Sequence, residues 1–248
     1  MIRFFLPVKK IINFVFDIIF PPLCLNCRRY LENSEQLNFL CQKCHQSITV
    51  NSLIFHHKNF ILAAAVNYEN KPIQKLIHYF KYEGFIKIAE PLTKFIIIHL
   101  QKSNIIKEID DSFLIVPIPL HFIRQRERGF NQSEELAKIL GKELGLKIEN
   151  KILKRIKATE KQINLKNNKQ RKENVKNAFK IEKTSNCFSV MNYFSAKNHF
   201  LTVKEKLKGK SVILIDDVFT SGATINEAVR ILKQNGVKKI IVAVAAKT

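Results

Sequence analysis

Thirteen residues near the C terminus, VILIDDVFTSGAT (212–224), concentrate groups that could do chemistry. Two adjacent carboxylates, Asp216 and Asp217, end an apolar run. The hydroxyls of Thr220, Ser221 and Thr224 follow, with Gly222 and Ala223 among them. Read as strand, turn and helix, the run puts the acids at the carboxyl end of a strand, where ligands of parallel sheets bind. The turn opens a helix whose first amides and dipole favour a phosphate, and Gly222 lets the backbone approach closely. Carboxylates repel a phosphate, so they suit neutral hydroxyls, held directly or through magnesium. A ligand with a phosphate at one end and a diol nearby is a ribose 5-phosphate. A plain strand-turn-helix with incidental acids is the bland alternative.

A second cluster is basic. The formal net charge of +21 and pI near 9.8 favour polyanionic partners, nucleic acid or phosphorylated metabolites. Drift toward A/T-rich codons would inflate lysine in the same way, so arginine carries more information. Nine arginines occur, and Arg124, Arg126 and Arg128 fall within five residues, with Arg155 and Arg171 downstream. Arginine grips phosphate bidentately, which makes the cluster a candidate phosphate site. A solvated helix end is the competing reading.

Four of the five cysteines form two C-x-x-C pairs, Cys24/Cys27 and Cys41/Cys44, separated by thirteen residues. Each pair can take one edge of a tetrahedron, so the two together predict a closed structural zinc site with no open position for chemistry. Redox-active or merely buried thiols are the alternatives. His45, His56 and His57 are nearby, but four thiolates already satisfy the metal; Cys187 has no partner and reads as a small apolar filler. The pattern implies a reducing compartment and a cytoplasmic protein. The N-terminal run FFLPVKKIINFVFDIIFPP is interrupted by Pro7, Lys9, Lys10, Asn13 and Asp17, which argues against a signal peptide or a span. Its apolar residues share a helical face that packs on the protein, with membrane-surface contact as the second reading.

These residues need a scaffold. Residues 1–22 read as an amphipathic helix, 23–47 as the cysteine module, too short and polar to own a core, and 48–248 as the main domain. Buried strands are expected over 61–68, 112–120, 211–217 and 238–246. Helices are expected over 72–84, 87–102, 131–145 and 223–236, with Asn131 or Ser133 as a cap and Gly145 and Gly236 as stops. Strand, helix, strand with apolar runs on both sides is a βαβ unit, so the fold class is α/β with a parallel sheet. Residues 147–176 carry eleven Lys/Arg against three Asp/Glu and read as an exposed basic stretch; 184–205 is an insert without assignment.

The 212–224 pattern resembles the ribose-phosphate signature of type I phosphoribosyltransferases. VPIPLHFIRQRERGFNQSEELA (116–137) resembles the diphosphate loop of that fold. More narrowly, PIPLH, then R-x-x-x-R-G-F-N-Q and L-A, resembles the ComF family of competence-associated phosphoribosyltransferase-like proteins. Arg155, Thr159, Gln162, Leu165, Arg171, Asn174, Ala178 and Phe179 agree with the family, as does YENKPIQKLIHYFKYEG (68–84). Ser221 stands where the family commonly has Thr, which keeps the hydroxyl. The resemblance implies a type I phosphoribosyltransferase-like domain behind a zinc-ribbon-like module. It also implies phosphoribosyl pyrophosphate (PRPP) with magnesium as ligand. Asp216, Asp217, Thr220, Ser221, Gly222, Ala223 and Thr224 would hold the ribose phosphate. Pro119, His121, Arg124 and Arg128 would face the diphosphate, with His121 equally suited to packing its loop. The basic stretch carrying Arg155, Lys161 and Arg171 would bind over PRPP, closing the site and excluding water.

Transfer from PRPP builds positive charge at the anomeric carbon as diphosphate departs; Arg124, Arg128 and magnesium would stabilise the leaving charge while Asp216 and Asp217 fix the ribose. A PRPP sensor without turnover uses the same residues. The competing reading is a single-stranded-DNA-binding module, in which the Lys-rich surface tracks phosphates and Phe122, Phe130, Tyr79 and Tyr82 stack bases. Family resemblance implies a role in DNA uptake during natural transformation, with a competence helicase as partner. No acceptor pocket or general base is marked in the sequence.

Overall fold

A computed structural model describes residues 21–158, 173–182 and 203–248. The expected N-terminal helix, Arg171 and most of the 184–205 insert lie outside these residues.

β-Branched and alanine-rich runs form the sheet. β1 (Phe55–His56) and β2 (Ile61–Asn67) come first, followed by α3 (Lys71–Tyr82) and α4 (Ala89–Lys102). β3 (Phe113–Pro117), α5 (Phe122–Arg128), α6 (Gln132–Leu144), β4 (Lys147–Ile148) and β5 (Leu153–Arg155) continue the chain. β6 (Phe179–Ile181), α7 (Val203–Leu207), β7 (Ser211–Phe219), α8 (Ala223–Gln234) and β8 (Lys239–Lys247) complete it. Two short helices precede them in the cysteine segment, α1 (Asn33–Gln36) and α2 (Gln42–Gln46).

The main sheet runs β1-β2-β8-β7-β3-β4, parallel except for β1, and β5 and β6 form a separate antiparallel pair. Alternation along the central strands divides the core. Ile213, Ile215, Ile241 and Ala243 face α3, α4 and α6, whereas Val212, Leu214, Ile240 and Val242 face α8 and the β5–β6 pair. Both faces are covered, which is why these strands read as continuous apolar runs. The buried residues around Cys24, Leu31 and Leu40 join the first of these clusters, and His45 packs on Phe95 of α4 with ring centroids 5.5 Å apart.

The topology places the site. β7 leads through α8 to β8 on one side of it, and β3 leads through α6 to β4 on the other. Right-handed crossovers in opposite directions put α8 and α6 on opposite faces, so the chain diverges between the carboxyl ends of β7 and β3, the place where open parallel sheets bind ligands. β3 stops pairing at Pro117 opposite Ile215, so Asp216–Phe219 project beyond it with β8 alongside.

Two expectations change. The arginine segment is a helix, α5, rather than a loop: His121 Nδ1 accepts from the Ile123 amide at 3.4 Å as its cap, and Gly129 ends it with φ 80°. The basic stretch is not uniformly exposed. Ile152, Leu153 and Val175 are buried, and Glu182 N donates to Ile152 O at 3.0 Å. Its charges diluted the apolar signal of strands two and three residues long.

Candidate functional site

The gap between β7 and β3 opens into a cavity of about 540 Å³. Asp216, Asp217, Thr220, Gly222, Ala223, Thr224, Arg124, Arg128 and Arg155 line it. Of the remaining expected residues, Ser221, Pro119 and His121 stand off the wall; His121 is buried as the α5 cap with its ring against Phe122.

The acid end is built by β7 and two helices. Ser133 Oγ, in the first turn of α6, donates to Asp216 Oδ1 at 3.0 Å, and the Asp217 amide donates to the same oxygen at 2.9 Å. Asn131 caps α6, accepting from the Ser133 amide at 3.2 Å, while its own amide donates to Ile118 O at 3.1 Å. Ser133 is thereby locked between the cap and the carboxylate. Burial, and behind it the charge of Asp217, push the Asp216 carboxyl up to about 7. Asp217 pairs with Lys81 Nζ at 2.9 Å, both side chains largely buried. Burial disfavours the Lys81 ammonium, but Asp217 and Asp216 together outweigh it and raise its pKa.

The phosphate end is the start of α8. Gly222 is its N-cap at φ 69°, and the first amide of the helix, that of Ala223, donates to Ser221 Oγ at 3.5 Å. A Cβ there would lie 2.6 Å from Phe219 Cζ, so the turn requires glycine for both conformation and space. Asn226 Nδ2 donates to Gly222 O at 2.8 Å and braces it.

Three arginines line the same cavity. Arg124 and Arg128 are one helical turn apart on α5 and face the cavity, whereas Arg126 is exposed elsewhere. Arg128 is held on two sides: Nη1 donates to Gln132 Oε1 at 3.0 Å, and its guanidinium sits 5.4 Å over the Tyr82 ring. Arg155, at the end of β5, lies 5.3 Å over Phe179 of β6. Burial and the neighbouring Arg124 lower the Arg155 pKa to about 10. Burial and then Arg128 lower that of Arg124. Mutual repulsion of fixed cations around one cavity is relieved by an anion between them.

Lys81, Ser133, Gln132 and His78 also line the cavity without having been singled out as ligand-facing. Lys81 lies inside the 68–84 segment already noted above, at the edge of the apolar face formed by Ile73, Leu76, Ile77 and Phe80. Its proximity to Asp217 depends on tertiary packing that no local pattern encodes.

The cysteines meet as expected. Sγ atoms of Cys24, Cys27, Cys41 and Cys44 all lie within 4.8 Å of one another, three of the residues buried. Cys27 Sγ and Cys41 Sγ lie 3.6 Å apart, and Asn26 Nδ2 donates to Cys44 Sγ at 3.3 Å. Four convergent sulfurs, one of them accepting from an amide side chain, fit a tetrahedral zinc-thiolate centre. Glu35 ties the module together, accepting from Arg29 at 2.6 Å, the Gln42 amide at 2.6 Å and the Glu32 amide at 3.0 Å. Among the described residues no helix is long and apolar enough to cross a membrane.

The profile of the family described as "Phosphoribosyl transferase domain" matches residues 105–248. Competence protein F of Haemophilus influenzae is 26% identical over 225 residues, covering 88% of this chain and 87% of that protein. The DNA utilization protein YhgH of Salmonella typhimurium is 26% identical over 219 residues, 86% of this chain and 85% of that protein. Competence protein ComFC of Bacillus subtilis is 34% identical over 127 residues, 51% of this chain and 41% of the relative. A parallel sheet with paired acids and a glycine-capped helix at its divergence point agrees with that match, and the chain belongs to the phosphoribosyl transferase family, with relatives over most of its length among the competence protein F, ComFC and YhgH proteins.

Proposed function

We propose that this protein binds PRPP with magnesium in the β7–β3 cavity and serves the uptake or utilisation of DNA. The observation that carries the ligand is the meeting within one cavity of an acidic pair, a glycine-capped helix start and three arginines. The N terminus of α8 takes the 5-phosphate, with Gly222 allowing the approach. Asp216 and Asp217 accept from the ribose hydroxyls. Arg124 and Arg128 bind the diphosphate, and Arg155 closes the wall. Magnesium, when bound with the diphosphate, would neutralise its charge and ease its departure. Arg128, fixed by Gln132 and Tyr82, is already oriented for that group, so little reorganisation accompanies binding. The DNA context rests on the names of the relatives, competence protein F and DNA utilization protein.

Calorimetric titration of Mg-PRPP into zinc-loaded protein tests the ligand. Micromolar-range binding is expected, reduced at least about 100-fold in a folded Asp216→Asn/Asp217→Asn variant, since each lost charged hydrogen bond costs ~1.5–3 kcal/mol. A folded wild type that does not bind would remove PRPP as the ligand.

A further inference from the structure

Lys81 reaches the cavity at its acidic end, paired with Asp217. Ile77 and Phe80 bury the adjoining face of α3, so the Lys81 side chain emerges at the edge of the packed surface and enters the cavity. Nζ lies 2.9 Å from Asp217 Oδ1, with the two side chains 20% and 8% exposed. The groups facing this pair are Asp216 on the same strand and Arg128 on α5. A hard divalent cation binds carboxylate oxygen at about 2.0–2.1 Å and keeps several waters. An ammonium already at hydrogen-bond distance takes that place and repels the incoming charge, in a cavity that three arginines also line.

We propose that Lys81 is the resident counter-ion of Asp217, a positioning residue that keeps a bare divalent cation off the acidic pair, so that the metal enters already bound to an anionic ligand. The identity of that ligand rests on the reading above; the competition between Lys81 and the ion does not. A diphosphate-bound ion approaches with compensated charge and offers the ammonium an alternative anion. The free metal offers neither.

The probe is Mn²⁺ alone, without PRPP, followed by water-proton relaxation on zinc-loaded protein. Wild type is expected to show no Mn²⁺ binding at the pair below about millimolar concentration, and Lys81→Gln to bind at least about tenfold more tightly. Adding Asp217→Asn to Lys81→Gln should abolish the gain, while Lys81→Arg should behave as wild type. Equal Mn²⁺ affinity in folded Lys81→Gln and wild type overturns the proposal. So does micromolar Mn²⁺ binding by wild type that disappears in Asp217→Asn, a result that needs no lysine variant and decides even where Lys81→Gln does not fold. A parallel Mg-PRPP titration keeps the two readings apart, because absence of PRPP binding leaves the Mn²⁺ comparison intact.

Discussion

At the residue scale the two adjacent acids live in different surroundings. Asp217 has a full ammonium partner at 2.9 Å, while Asp216 has two neutral donors, Ser133 Oγ and the Asp217 amide. Burial and the neighbouring carboxylate then work on Asp216, whose pKa rises to about 7. The linkage has a definite sign. In the unfolded chain Asp216 ionises near its ordinary value of 3.8, whereas the folded protein keeps the proton up to about 7. Between those values the folded state binds more protons, so this residue makes stability fall as pH rises, levelling off above about 7. Asp216→Asn removes the titration. Denaturant melts from pH 4 to 8 should show the variant gaining on wild type toward neutral pH; an unchanged stability difference across that range would refute the coupling. The same carboxyl explains why the pattern D-D was legible as an adjacent acidic pair but not as two unlike groups. Adjacency is local, whereas Ser133 and Lys81 arrive from 83 and 136 residues away.

At the element scale the sequence was most readable where one signal dominated. Continuous apolar runs announced β2, β7 and β8, and the caps Asn131 and Gly145 bounded α6 as expected. It was least readable where charge masked burial. β5 and β6 each have three residues and a single fully buried side chain, Leu153 and Phe179. Yet this pair places Arg155 on the cavity wall. The register aligns Arg155 with Phe179, and the ring supports the guanidinium. Phe179→Ala should therefore do two things. Loss of the buried ring costs ~3–5 kcal/mol of stability, and the unsupported arginine weakens PRPP binding several-fold in the protein that remains folded. Phe179→Leu, which refills most of the volume without a π face, separates them: stability largely recovers while the binding deficit persists. Recovery of both would mean that the ring only packs. The cysteine module shows the opposite case: spacing alone announced that the four sulfurs converge, because each C-x-x-C pair is confined to one tight turn.

At the scale of the whole molecule the question is what the charge of +21 is for. Four aromatics were candidates for stacking bases, and the fold divides them. Phe130 is buried against Phe80, and Tyr79 packs on Phe85. Phe122 and Tyr82 remain 61% and 50% exposed, Phe122 at the start of the arginine helix and Tyr82 beneath Arg128 at the cavity. Tyr82, under the Arg128 guanidinium, and the exposed Phe122 ring are the two that a single strand could still stack on. Lysines spread over the surface and arginines gathered at the cavity make different electrostatic predictions. A strand tracked along the surface releases counterions, so contact with about four phosphates should cost roughly 50-fold in affinity between ~50 and ~200 mM salt. Asp216→Asn/Asp217→Asn should leave that binding intact or strengthen it, since the variant loses negative charge. Phe122→Ala should weaken it by ~1–3 kcal/mol if the ring stacks a base. Mg-PRPP binding should show the converse dependence, abolished by the double variant and unaffected by Phe122→Ala. Fluorescence anisotropy with a labelled oligonucleotide, run beside the PRPP titration at each salt, reads both. If the double variant loses DNA and PRPP together, the two anions share the cavity and the surface lysines are bystanders. If saturating PRPP leaves DNA affinity unchanged while salt removes it, the chain carries two separate anion sites, one enclosed and one spread over its exterior.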